Sequence, residues 1–198
     1  MNVFRREHLN YWYSMKIYYL TTTIASIPSQ IIFPTIFCVI VYFLTSQPAE
    51  ADRFFLFLGI YILLGILADS YGLIFACSLA PQSAIYIAPV SSIPFIIFSG
   101  YLITIKNIPF YFEWMTYVSY YRYGFEGILN TVYGLERQNL PCNGSTAGLC
   151  TFADIKNLKK HFGLDYSLEL DVGILSFFIC LIRVCTLFVL WVKVHNSK

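Results

Sequence analysis

No Asp, Glu, Lys or Arg interrupts the chain between Ile17 and Thr45, or again between Ser70 and Ile105. A helix needs only about 20 apolar residues to cross the hydrocarbon core of a bilayer. Lipid offers no hydrogen-bond partner to an open backbone, so uncharged runs of this length point to membrane-spanning helices. Composition agrees, with 58% hydrophobic and only 12% charged residues, about half the charge of a soluble domain. A net charge of +2 is too small to point to nucleic acid. The fold class expected is an all-α integral membrane protein.

The 198 residues leave room for about four spans and their loops. Ile17–Thr45 is the first, with Pro28 and Pro34 inside it as a hinge or a static kink. Ser46–Arg53 is a polar turn, and Phe54–Leu79 is the second span, where Gly59, Gly65 and Gly72 would let helices approach closely. The uncharged run from Ser70 to Ile105 is too long for one helix, and Ala80-Pro81-Gln82-Ser83 is the natural break. The third span is then Ala84–Ile105 and the fourth Val172–Val192. Before the first span, residues 1–16 mix charge with aromatics, as either an amphipathic helix at the interface or an ordinary polar flank. Residues 106–171 form a loop whose first part, Asn107–Tyr123, is aromatic enough to dip into the membrane.

Basic residues flank both ends: Arg5, Arg6 and Lys16 precede the first span, and Lys193 and Lys198 follow the last. The positive-inside bias then places both termini in the cytosol and the 106–171 loop outside or in a lumen. Within that loop Asn143-Gly144-Ser145 is a glycosylation acceptor. Cys142 and Cys150 flank it; they form a disulfide that such a compartment would preserve, or stay as two free thiols. No signal peptide precedes the first span, which would act as its own insertion signal. The opening at Met1 fits a fragment as well as a complete protein.

Two charges lie deep in the spans, Asp69 and Arg183. Intramembrane charges are costly and mark functional positions by default. They form an interhelical ion pair between the second and fourth spans, or each faces a wet cavity or snorkels separately. Catalytic patterns are missing. There is no GxxxxGK[ST] phosphate loop, no GxGxxG fingerprint and no Gly-x-Ser-x-Gly elbow, and His8, His161 and His195 are far apart. Catalytic residues and a bound metal are therefore not expected.

Arg6-Glu7-His8 with Tyr11, the segment SQPAEADRF, the Ser99-Gly100 pair and YYRYGFEG at Tyr120–Gly127 resemble the G subfamily of ATP-binding cassette half-transporters, in its white-pigment and sterol-exporter branch. The resemblance runs over nearly the whole chain. It implies the C-terminal part of an ABC-2 type membrane domain, whose four spans are the family's third to sixth. The first two spans and the ATPase domain, with its ATP and Mg, would lie outside this chain. Carried over by position, Arg6, Glu7 and His8 resemble a coupling helix that touches the ATPase domain. Pro89, Ile93 and Ile96 match positions lining the substrate path, and Tyr101-Leu102 match the apolar plug above it. Gly100 would let two copies approach there. The segment Asn107–Gly127 resembles the family's re-entrant helices. The partners implied are membrane lipid, a second half-transporter in a homo- or heterodimer, and a sterol or phospholipid to be exported. The other function carried is a truncated, non-transporting partner that regulates a full half-transporter.

Overall fold

The structure is a computed structural model that describes residues 14–47, 50–134, 162–163 and 166–195. Its helices are α1 (Met15–Leu44), α2 (Ala51–Ser78), α3 (Pro81–Ile97), α4 (Glu113–Val118), α5 (Tyr120–Tyr133) and α6 (Leu168–His195). Two short 3-10 turns, Ile105–Asn107 and Phe110–Phe112, lead into α4. Among the described residues there is no strand. Among the described residues three helices, α1, α2 and α6, are long and apolar enough to cross a membrane.

The third helix differs from the sequence expectation of Ala84–Ile105. It begins at Pro81, because proline at the first helical position gives up an N–H that would be unpaired there anyway. It ends at Ile97 after 17 residues, a length of about 26 Å. What stops it is local. Ser99 Oγ donates to the Ile96 carbonyl at 2.7 Å, and the Tyr101 N–H donates to Ser99 Oγ at 3.3 Å. Gly100 then turns the chain at φ +87°, a region that strains residues with a Cβ. Gly100 is buried in the single chain. The other long helices shift by smaller amounts. α1 starts two residues earlier than expected, where Ser14 Oγ accepts the Ile17 N–H at 3.4 Å. α1 stays one continuous helix through Pro28 and Pro34.

At the centre is α2, which packs on α1, α3, α5 and α6. Ile60 and Leu67 of α2 meet Tyr120 and Tyr123 of α5 and Leu175 of α6. Phe57 packs with Cys38 and Tyr42 of α1, and Cys77 with Leu190 of α6. Of the three α2 glycines, only Gly65 faces a neighbouring helix closely, with Pro34 Cγ at 3.5 Å from where a Cβ would sit. Gly59 and Gly72 have open space there. The outer faces are apolar, as a lipid solvent requires: Phe33, Phe177 and Val184 are all exposed.

Candidate functional site: two polar knots and an exposed helix face

The first knot lies midway along the long helices. Arg183 of α6 reaches α2 and α1 at once. Its Nη2 donates to Asp69 Oδ2 at 3.2 Å and its Nη1 to Thr23 Oγ1 at 3.1 Å. Tyr19 of α1 returns the contact, donating its hydroxyl to the Arg183 carbonyl at 3.1 Å. The structure thus brings together the two intramembrane charges, side by side on neighbouring helices. The arginine side chain is 15% exposed and the aspartate 36%. Thr23 and Tyr19 are members that the sequence reading did not contain. A guanidinium with five donors in a planar fork can hold two helices at once, which a lysine cannot do as well.

The second knot is built on α5, and it explains the YYRYGFEG stretch residue by residue. Gly124 and Gly127 press bare backbone onto α2. A Cβ on Gly124 would sit 2.6 Å from Leu64 Cδ2, and one on Gly127 3.0 Å from Ile60 Cδ1. Arg122, Glu126 and Asn130, four residues apart, form the polar stripe of the same helix. Arg122 donates to Thr116 Oγ1 at 3.1 Å and lies over the rings of Tyr117 (4.9 Å) and Tyr166 (5.6 Å). The fully buried Glu126 accepts the Tyr166 N–H at 2.7 Å. Asn130 donates to the Tyr166 carbonyl at 3.2 Å and to Asp171 Oδ2 at 3.3 Å, fastening α5 to the first turn of α6. Burial pushes the Tyr123 phenol up, the Arg122 cation pulling it part of the way back, so the hydroxyl stays neutral and donates to the Tyr117 carbonyl at 3.0 Å. The spacing of four was the signal available in the sequence; nothing there pointed to Tyr166 or Asp171.

A third anchor sits at the other end of α5. Arg53 is 6% exposed; it pairs with Glu50 and donates to the Gly134 carbonyl at 2.9 Å. A cation at a helix C-terminus satisfies carbonyls that have no partner within the helix. At the N-terminal end, Ser119 Oγ donates to the Phe95 carbonyl at 2.5 Å, joining α5 to α3.

Pro89, Ile93 and Ile96 lie at spacings of four and three on α3 and are all exposed in the single chain. Leu102 is 60% exposed. Tyr101 is exposed too, but its ring meets Phe125 of α5 edge-on at 5.6 Å. Arg6, Glu7, His8, Cys142, Asn143 and Cys150 lie outside the described residues. Among the described residues, no group of His, Cys, Asp and Glu is arranged to hold a metal. The chemistry these sites can perform is to tie helices to one another and to present an apolar face.

Comparison with known proteins points the same way. The family model described as "ABC-2 type transporter" matches residues 1–133. The chain is 34% identical to Protein white of Ceratitis capitata over 64% of this chain and 19% of that protein. It is 31% identical to Protein white of Drosophila melanogaster, covering 72% of this chain and 21% of the relative. It is 25% identical to ABC transporter G family member 1 of Dictyostelium discoideum over 100% of this chain and 26% of that protein. The chain spans about a fifth of the length of the first two relatives, 19% and 21%. It belongs to the ABC-2 type transporter family, and its relatives are the G-family ATP-binding cassette transporters, matched through their membrane region.

Proposed function

We propose that this chain is membrane-domain sequence of an ATP-driven half-transporter that exports a sterol or phospholipid as a dimer. The observation that carries this reading is the apolar face of α3. Pro89, Ile93 and Ile96 share one side of an uncharged helix and remain exposed while α2 covers the other side through Tyr71, whose hydroxyl donates to Ser91 Oγ at 2.9 Å. Two such faces, one from each half, make an apolar path suited to a molecule that needs little hydrogen bonding. Leu102 and Tyr101 close that path at its outer end. In this reading α3 and the turn after it complete a fourth crossing, and 107–127 is re-entrant. Both termini are cytosolic, Asn143 carries a glycan, and Cys142 pairs with Cys150. Arg6, Glu7 and His8 couple the spans to an ATPase domain that binds ATP and Mg outside this chain.

The test is to narrow the path. Ile93→Trp adds bulk at an exposed position, so folding is undisturbed. In a half-transporter carrying this sequence, reconstituted with labelled sterol and phospholipid, it should lower ATP-dependent efflux at least about tenfold, the equivalent of 1.4 kcal/mol. Efflux equal to wild type at equal incorporation would remove α3 from the path.

A further inference from the structure

The second knot holds more acid than base. Glu126 of α5 and Asp171 of α6 are both fully buried, and Arg122 is the cation buried beside them. With both acids ionised, one negative charge is left over in an apolar surround, and burying a charge without a partner is costly. The two acids are close neighbours. Glu126 accepts the Tyr166 N–H, and Asn130 ties the Tyr166 carbonyl to Asp171 Oδ2. A Cβ built on Gly127, the residue after Glu126, would sit 3.7 Å from Asp171 Cβ. Asp171 Oδ1 is buried and has no hydrogen-bond partner among the described residues. A carboxylate oxygen there has nothing to accept. A carboxyl that carries a proton loses its charge, and with it most of the cost of burial.

The groups facing the pair leave the surplus charge unanswered. Arg122 gives one N–H to Thr116 Oγ1 and lies over the rings of Tyr117, Tyr123 and Tyr166. Its buried Nε meets no hydrogen-bond partner among the described residues. Asn130 brings an amide and no charge. Tyr123 donates its hydroxyl to the Tyr117 carbonyl of α4. From α2 comes Ile60, an apolar side chain packed against Gly127. On α6 itself, Glu169 is exposed. The N-terminal dipole of α6 favours an anion in its first turn, but a partial charge does not replace a cation.

We propose that Glu126 and Asp171 form a proton-binding site, two carboxyl groups that share one proton at neutral pH and so make the junction of α5 with α6 sensitive to acidity. The ligand is a proton taken from water: one O–H bond forms on a carboxylate, and its charge is cancelled. Two carboxyl groups held together cannot both ionise readily, so the second proton stays on well above the ordinary carboxylate range of about 4. The titration belongs to the pair and not to either residue. Once that proton leaves, a second negative charge appears inside the knot and opposes the fastening that Asn130 and Tyr166 make. The folded chain keeps a proton that the unfolded chain releases near pH 4. Stability therefore falls as the pH rises from there through the titration of the pair, and is level above it.

Infrared spectroscopy of the whole chain in phosphatidylcholine vesicles reads the C=O stretch of a protonated carboxyl directly. Wild type should show this band at neutral pH with the intensity of one group, and should lose it in a single step as the solution is made alkaline. Asp171→Asn and Glu126→Gln keep each side chain's shape and an oxygen that can accept the same hydrogen bond. Either should remove the band at neutral pH, because the acid that remains has Arg122 to itself. Asp69→Asn, in the other knot, should leave it intact. Absence of the band from wild type at neutral pH would overturn the proposal without recourse to any variant. A band that survives Glu126→Gln would overturn the sharing, and one lost with Asp69→Asn would move the proton to the other knot. The denaturation midpoint gives a second measurement: it should drop from neutral to alkaline pH in wild type and stay level in Asp171→Asn. A wild-type midpoint that ignores pH over that range would count against the proton as well. Neither readout involves transport, so failure here leaves the export reading where it stood.

Discussion

At the scale of single residues, the bundle is governed by a few polar side chains in an apolar medium. Removing one member of a buried ion pair typically costs about 3–5 kcal/mol, because the survivor is left without its partner, whereas replacing both by apolar groups is often neutral. Asp69 keeps 36% exposure, so we expect Asp69→Leu to cost less, about 2–3 kcal/mol. The double variant Asp69→Leu, Arg183→Leu should recover most of that loss. Unfolding the reconstituted chain in denaturant checks both, and a double variant no better than the single one would show that the arginine is held by Thr23 alone. The two charges were visible in the sequence as exceptions within apolar runs. Their pairing was not, because contact depends on which helices are neighbours and which way each side chain points. Thr23 and Tyr19 were hidden for the same reason: a hydroxyl in a spanning helix looks the same whether it bonds its own backbone or another helix.

At the scale of elements, α5 shows how one stretch can do two jobs on opposite faces. Its glycines admit α2 and its polar stripe grips α4 and α6. Gly124→Ala places a methyl 2.6 Å from Leu64 Cδ2, and overpacking of this kind costs about 1–3 kcal/mol. The expected outcome is a lower unfolding midpoint, largely restored by adding Leu64→Ala to make room; no rescue by the second change would mean the strain lies elsewhere. The long helices were legible because uncharged length alone announces them. The third helix was misjudged at both ends, since Pro81 can stop a helix or start one, and hydropathy does not fall at the Ser99-Gly100 turn. The candidate path residues were located through resemblance. The structure adds that Pro89, Ile93, Ile96 and Leu102 are exposed in the single chain.

At the scale of the whole molecule, a bundle with α2 at its centre depends on contacts between distant parts of the chain. Arg183 and Asp69 are 114 residues apart, and Arg53 and the Gly134 carbonyl 81. That separation has a consequence for biosynthesis. As the ribosome feeds helices into the bilayer one after another, α2 arrives with an acid that has no cation, and it must wait until the last helix emerges. An aspartate or arginine at mid-membrane opposes insertion by about 2.5–3.5 kcal/mol. The strongly apolar sequence of α6 carries Arg183 in, and the waiting Asp69 lightens the load. In a cell-free translation with microsomes, the insertion efficiency of α6 should therefore fall when Asp69 is replaced by leucine upstream; unchanged insertion would mean that the helix enters before it meets its partner. A nascent chain that stops short of α6 leaves an orphan carboxylate facing lipid. Such a chain would present the retention machinery with a mark of incompleteness that the finished bundle conceals.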